Sequence, residues 1–69
     1  MPVVVAHFRT RIEAEFAHDL LEDAGIPSVV SSDDAGGMYP GRDGARLLVD
    51  EADAEDARDI LLDAGAIKG

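Results

Sequence analysis

The chain has 69 residues, fifteen acidic and six basic, with a formal charge of -9 and no cysteine. That length makes one domain, residues 1–69, whose core hides only about 60% of the surface the unfolded chain exposes, and no disulfide or thiolate metal site is available to supplement it. Nucleic-acid binding is mostly phosphate neutralisation by Lys and Arg, so the charge balance argues against nucleic acid and anionic membranes as partners, and no apolar run approaches the ~20 residues that span a bilayer.

Residues 3–8 form a nearly continuous apolar run rich in β-branched side chains, the composition of a strand buried on both faces. His7 shares its parity with Val3 and Val5, which favours a place in or beside the sheet packing, but the sequence leaves open which face it takes. Thr10 and Glu13 then read as a capping box, the Thr10 hydroxyl taking an early helical N–H while Glu13 reaches back to the cap. Ala17, Leu20, Leu21 and Ala24 recur at helical spacing as one apolar stripe, and Gly25 supplies a left-handed stop. Phe16 falls at the rim of that stripe beside Ile12. His18 falls on the outer face with Glu15 and Glu22, where an i, i+4 contact accounts for it. Residues 26–31 make a second strand with Pro27 at its entrance. Residues 32–44 are loop, and residues 45–49 a third strand. Residues 50–53 repeat the capping geometry with acids, which suit the positive end of a helix dipole. Ala57, Ile60, Leu61 and Ala64 are the stripe of a second helix, which Gly65 ends. Residues 66–69 form a stub.

The helices are copies. Residues 14–26 return forty positions later as residues 54–66, with eight of the thirteen positions identical. A repeated strand–helix unit with antiparallel strands between gives an α+β, ferredoxin-like βαββα(β) plan with a short or missing fourth strand and both helices on one face of an antiparallel sheet. Without that strand the run at residues 3–8 becomes an edge, and an apolar edge is a pairing site that proteins cover or use. A second copy or the C-terminal stub is the expected cover, which makes a homo-oligomer the expected assembly. Leu62 matches Glu22 in the repeat and is expected on the exposed helix face.

The loop at residues 32–44 is long for a hairpin connection and holds the single Tyr of the chain. Such a loop on a rigid sheet suits recognition, and its candidate partner- or ligand-binding residues are Asp33, Asp34, Gly36, Gly37, Met38, Tyr39 and Arg42. No phosphate-loop pattern is present, and Asp33, Asp34 and Asp43 oppose an anion at Arg42 or Arg46. Asp33 and Asp34 are hard oxygen donors suited to Mg or Ca, so a metal-dependent small-ligand binder is the alternative reading. Otherwise no metal ligand set is identified, since His7 and His18 lack ligating spacing, and no cofactor is expected. Nor is an enzyme: there is no cysteine nucleophile and no G-x-S-x-G elbow around Ser28, Ser31 or Ser32. The amino terminus lacks the features of a secretory signal, so a cytoplasmic location is expected, and the dense carboxylates suit solubility in a salt-rich cytoplasm.

The strand Val3-Val4-Val5-Ala6, the helix segments Ile12-Glu13-Ala14 and Leu20-Leu21-Glu22, and the turn Ala24-Gly25-Ile26-Pro27 resemble a family of small prokaryotic proteins. The loop Ser32-Asp33-Asp34-Ala35-Gly36-Gly37 and the strand Arg46-Leu47-Leu48-Val49 continue the likeness. These proteins are described as signal transducers, a domain of unknown function related to the PII nitrogen-regulator fold. The resemblance implies a ferredoxin-like fold and a small regulatory or ligand-binding role. It also implies that the segment joining the second and third strands contacts partners. The chain departs from that pattern in lacking basic residues where a nucleotide's phosphates would sit. The resulting expectation is a non-enzymatic module that binds itself and a protein partner or small ligand.

Overall fold

A computed structural model describes residues 1–32 and 44–68. The elements are β1 (Pro2–Phe8), α1 (Arg11–Asp23), β2 (Ser28–Ser32), β3 (Ala45–Asp50), a 3-10 turn at Glu51–Asp53 and α2 (Ala54–Asp63). The three strands form an antiparallel sheet in the order β1-β3-β2. No fourth strand is present among the described residues, so β1 has β3 on one side and no strand on the other.

The core lies between this sheet and the two helices. Leu21, Leu47 and Leu61 are its largest fully buried side chains, and Ala17, Val49 and Ala57 fill the space around them. The repeat explains the symmetry: Ala17 and Ala57 occupy matching positions, as do Leu21 and Leu61, and all four are fully buried. Alanine at the matched positions removes side-chain bulk where helix and sheet meet, so one leucine per helix can reach the centre.

Both helices stop alike. Gly25 and Gly65 adopt φ of +83° and +74°, the region in which a Cβ is strained. Gly25 N–H donates to the Glu22 carbonyl and Ile26 N–H to that of Leu21; Gly65 N–H donates to Leu62 and Ala66 N–H to Leu61. These paired bonds are the Schellman arrangement, in which the residue after the glycine is turned back toward the helix. Ile26 is buried by it and belongs to the helix stop, so β2 starts at Ser28, just beyond Pro27.

The two helix starts differ. Thr10 Oγ1 accepts from the Glu13 N–H at 3.2 Å and donates to the Glu13 carboxylate, also at 3.2 Å, so the acid meets the cap's hydroxyl instead of its backbone. The acidic copy caps more weakly: neither Asp50 nor Asp53 makes a well-formed side-chain cap bond, and a 3-10 turn precedes α2. The Glu51 and Ala52 amides nonetheless help, after the Met1 ammonium, to hold the Asp50 carboxylate ionised. The Asp50 carboxylate accepts from the Met1 ammonium at 3.2 Å, and Glu51 N–H donates to the Met1 carbonyl.

β1 settles the facing of His7 and corrects one expectation. The register slips between Val4 and Ala6, a bulge that reverses the alternation downstream of it. Ala6 and Phe8 therefore turn toward the helices, and His7 is turned to the exposed face. β1 is also packed on one face only: Val4, on the side away from the helices, is 40% exposed. Two helical residues differ as well. Leu62 is half-buried, not exposed, whereas Phe16 is 61% exposed and stands out from the core with Ile12.

Candidate functional site

Three surfaces are positioned by this fold. The first is the end of the sheet where the loop is rooted. Phe8 pairs with Ala45, and Ala45 with Ser32, so the C-terminal ends of β1 and β2 and the start of β3 lie together beside the first turn of α1. Of the loop at residues 32–44, only Ser32, exposed, and Gly44, half-buried, are described. Asp33, Asp34, Gly36, Gly37, Met38, Tyr39 and Arg42 lie outside the described residues. The structure thus places the stems of the loop and not its candidate residues.

The second surface is the sheet face away from the helices. Register aligns Val4, Leu48 and Val29 across all three strands, and beside them His7, Arg46 and Ser31. Val29 is 62% exposed and Leu48 half-buried. This is an apolar row crossing an uncovered sheet, flanked by a polar row.

The third surface is an open cleft of about 760 Å³ along the strandless edge of β1. Residues 5–9 form one wall, and the other is built from Arg58 on α2 and residues 65–68, turned back by the Gly65 stop. Ala66 and Ile67 are half-buried and pack on the core. The stub therefore approaches β1 with side chains, without adding a strand. Charge in the cleft runs opposite to that of the molecule. Arg9, Arg58 and Lys68 line it with His7, against one acid, Glu13, already bonded to Thr10. Within the described residues, no hydrogen bond or ion pair engages Arg9, Arg58 or Lys68.

Sequence reasoning missed this cleft. Arg9 follows β1, Arg58 stands at the position of His18 in the repeat, and Lys68 is near the end. Only the antiparallel return of β3 and the helix stop at Gly65 bring them to one edge.

His18 has a structural part. It is half-buried; its Nδ1 shares a hydrogen with Ser28 Oγ, tying α1 to β2, and its Nε2 lies 3.7 Å from the Glu22 carboxylate. The i, i+4 contact is present, but the ring leans inward from the outer face. His18, Asp19 and Glu22 each offer a ligand atom within 4.8 Å of the others. All three come from consecutive turns of one helix, and both ring nitrogens already have neighbours.

One electrostatic shift is resolved. The hydrogen bond from the Met1 ammonium and its positive charge hold the Asp50 carboxyl below its ordinary range. Among the described residues, no helix is long and apolar enough to cross a membrane.

A family model described as "Putative prokaryotic signal transducing protein" matches residues 3–65, and the chain belongs to that family. The match takes in β1, both helices, the stems of the loop and the cleft wall as far as Gly65. No curated protein and no solved structure matches the chain.

Proposed function

We propose that this member of the signal-transducing family is a non-enzymatic module that works by binding a partner, with the loop at residues 32–44 as a contact element. The family description supports a signalling role. The observation that carries the reading is the rooting of the loop: its two ends leave adjacent, hydrogen-bonded strands, in register at Ser32 and Ala45, so a rigid sheet presents it. The antiparallel order β1-β3-β2 supports a ferredoxin-like reading of the sheet, and with it a relation to PII regulators, whose corresponding segment contacts partners. Asp33, Asp34, Gly36, Gly37, Met38, Tyr39 and Arg42 are the proposed contact residues.

The module also self-associates in this reading, through the uncovered sheet face. The row Val4, Leu48 and Val29 supplies the apolar centre of a contact, and a core this small gains from a second copy.

Two measurements test the reading. Replacing residues 33–43 by a short Gly-Ser linker leaves the melting temperature unchanged and abolishes recovery of a co-purifying partner; equal recovery by both chains overturns the role of the loop. Val29→Asp halves or quarters the mass seen by light scattering. A wild-type chain that is monomeric at every concentration overturns self-association.

A further inference from the structure

We propose that the cleft along β1 is a docking site for an extended acidic segment of a partner protein, which adds to the sheet as its fourth strand. The inference rests on the partner-binding reading but not on the loop. Three features point to this occupant.

The first is backbone chemistry. An edge strand presents a row of N–H and C=O groups to its open side, and β1 faces the cleft with no strand there among the described residues. Strand addition satisfies such a row, and pockets for alternate side chains then give selectivity. The second is length. Residues 5–9 form the β1 wall, a run of about 17 Å at ~3.3 Å per residue, which accommodates a strand of about five residues.

The third feature is charge. Arg9, Arg58 and Lys68 are half of the six basic residues of a chain with fifteen acids. Their convergence on one cleft, without carboxylate partners among the described residues, makes it a positive island on a negative molecule. A carboxylate-bearing strand is drawn to the island, and the -9 charge of the whole repels acidic molecules that approach elsewhere. Between the cations lie Val5, Ala6, Phe8, Ala66 and Ile67, which suit the apolar residues of a strand alternating acid and aliphatic. A second copy is a poorer occupant, because β1 carries His7, is followed by Arg9 and contains no acid. Pairing β1 with β1 would bring no carboxylate to the cations of the cleft.

The probe is a fluorescein-labelled peptide of about seven residues alternating Glu or Asp with Val, long enough to run the cleft, titrated by anisotropy against the full chain. A lysine-for-acid peptide and inorganic phosphate are run beside it. The acidic peptide binds, weakens several-fold as salt is raised through the Debye-screening range, and shifts the backbone amides of residues 5–9 and 66–68. Arg58→Glu and Lys68→Glu, both at exposed positions, each weaken it by roughly tenfold or more. Arg11→Glu makes the same change in net charge outside the cleft and leaves binding within about twofold.

Overturning results are no binding of the acidic peptide, equal binding of the lysine peptide, or equal loss in Arg11→Glu and Arg58→Glu. Displacement by phosphate would make the site a point-anion site, and amide shifts confined to the open sheet face or the loop would move it off the edge. A β1–β1 dimer that the peptide cannot displace would give the cleft to a second copy. Each variant's thermal melt confirms that it is folded. Loss of peptide binding leaves the loop-replacement test untouched, so either reading can fail alone.

Discussion

Replacing Gly65 by alanine probes the joint on which the cleft depends. Gly65 has φ +74°, and nothing lies within 4 Å of where a Cβ would stand, so the substitution meets no steric clash with neighbours. Its cost is the backbone conformation alone. Holding an L-residue in the left-handed region costs about 1–2 kcal/mol, and the reduced freedom of the unfolded chain offsets about 0.4–1 kcal/mol of that. The net is a loss of about 1 kcal/mol, which for a domain of this size lowers the melting temperature by about 4–8 °C. Gly25→Ala, with φ +83° and equally open surroundings, has the same expected loss. Asn, which tolerates the left-handed region, loses less at both sites. The assay is thermal unfolding by circular dichroism, checked by urea titration. A neutral or stabilising Gly65→Ala would refute the reasoning, because α2 would then end in some other way and residues 66–68 would not be turned back beside β1.

Three further outcomes follow from the same geometry. Leu21→Ala and Leu61→Ala empty matched, fully buried positions and each cost about 2–5 kcal/mol, about half of the ~3–10 kcal/mol expected of a chain this long; urea titration would show both midpoints lowered by about half. Thr10→Ala removes a formed cap bond and costs about 1 kcal/mol, whereas Asp53→Ala, with no cap bond to lose, changes the urea midpoint by less. Asp50 has its carboxyl pKa lowered below 3.8 by the Met1 ammonium. Its contribution is therefore complete above the unfolded value and is lost as pH falls through the lower folded one. Melting temperatures of Asp50→Asn should fall less than wild type below about pH 4, and the difference should shrink in molar salt because the pair is exposed. An unchanged acid limb would show that the pair contributes nothing.

Most of the fold was legible because it is written in periodicity. The alanine–leucine stripes and their terminal glycines gave both helices, and the doubled segment gave their equivalence. The family resemblance, read from the helix, the Gly-Ile-Pro turn and the strands, is shown by the match over residues 3–65. Gaps and errors arose where local pattern met tertiary register. The facing of His7, which the sequence leaves open, is settled by a bulge in β1 that turns it outward, and no single residue of that run announces it, since Val, Val, Val and Ala fit either phase. The acids at residues 50–53 imitate a cap, but β3 runs on to Asp50 and the Met1 ammonium takes its carboxylate. The candidate loop was visible as glycines and acids, yet its residues lie beyond what the structure describes. The cationic cleft was invisible, because its members are spread from residue 7 to residue 68 and only folding gathers them.

Hydrogen exchange at the β1 amides, followed by NMR on the free chain, reads its outer edge directly. Exchange that alternates along the strand, slow where β3 accepts the amide and fast where it faces the cleft, is the expected pattern, with the fast class protected once the acidic peptide saturates. Uniform protection of every β1 amide in a dilute monomer would contradict the account, since a strand of the same subunit would then already occupy the edge.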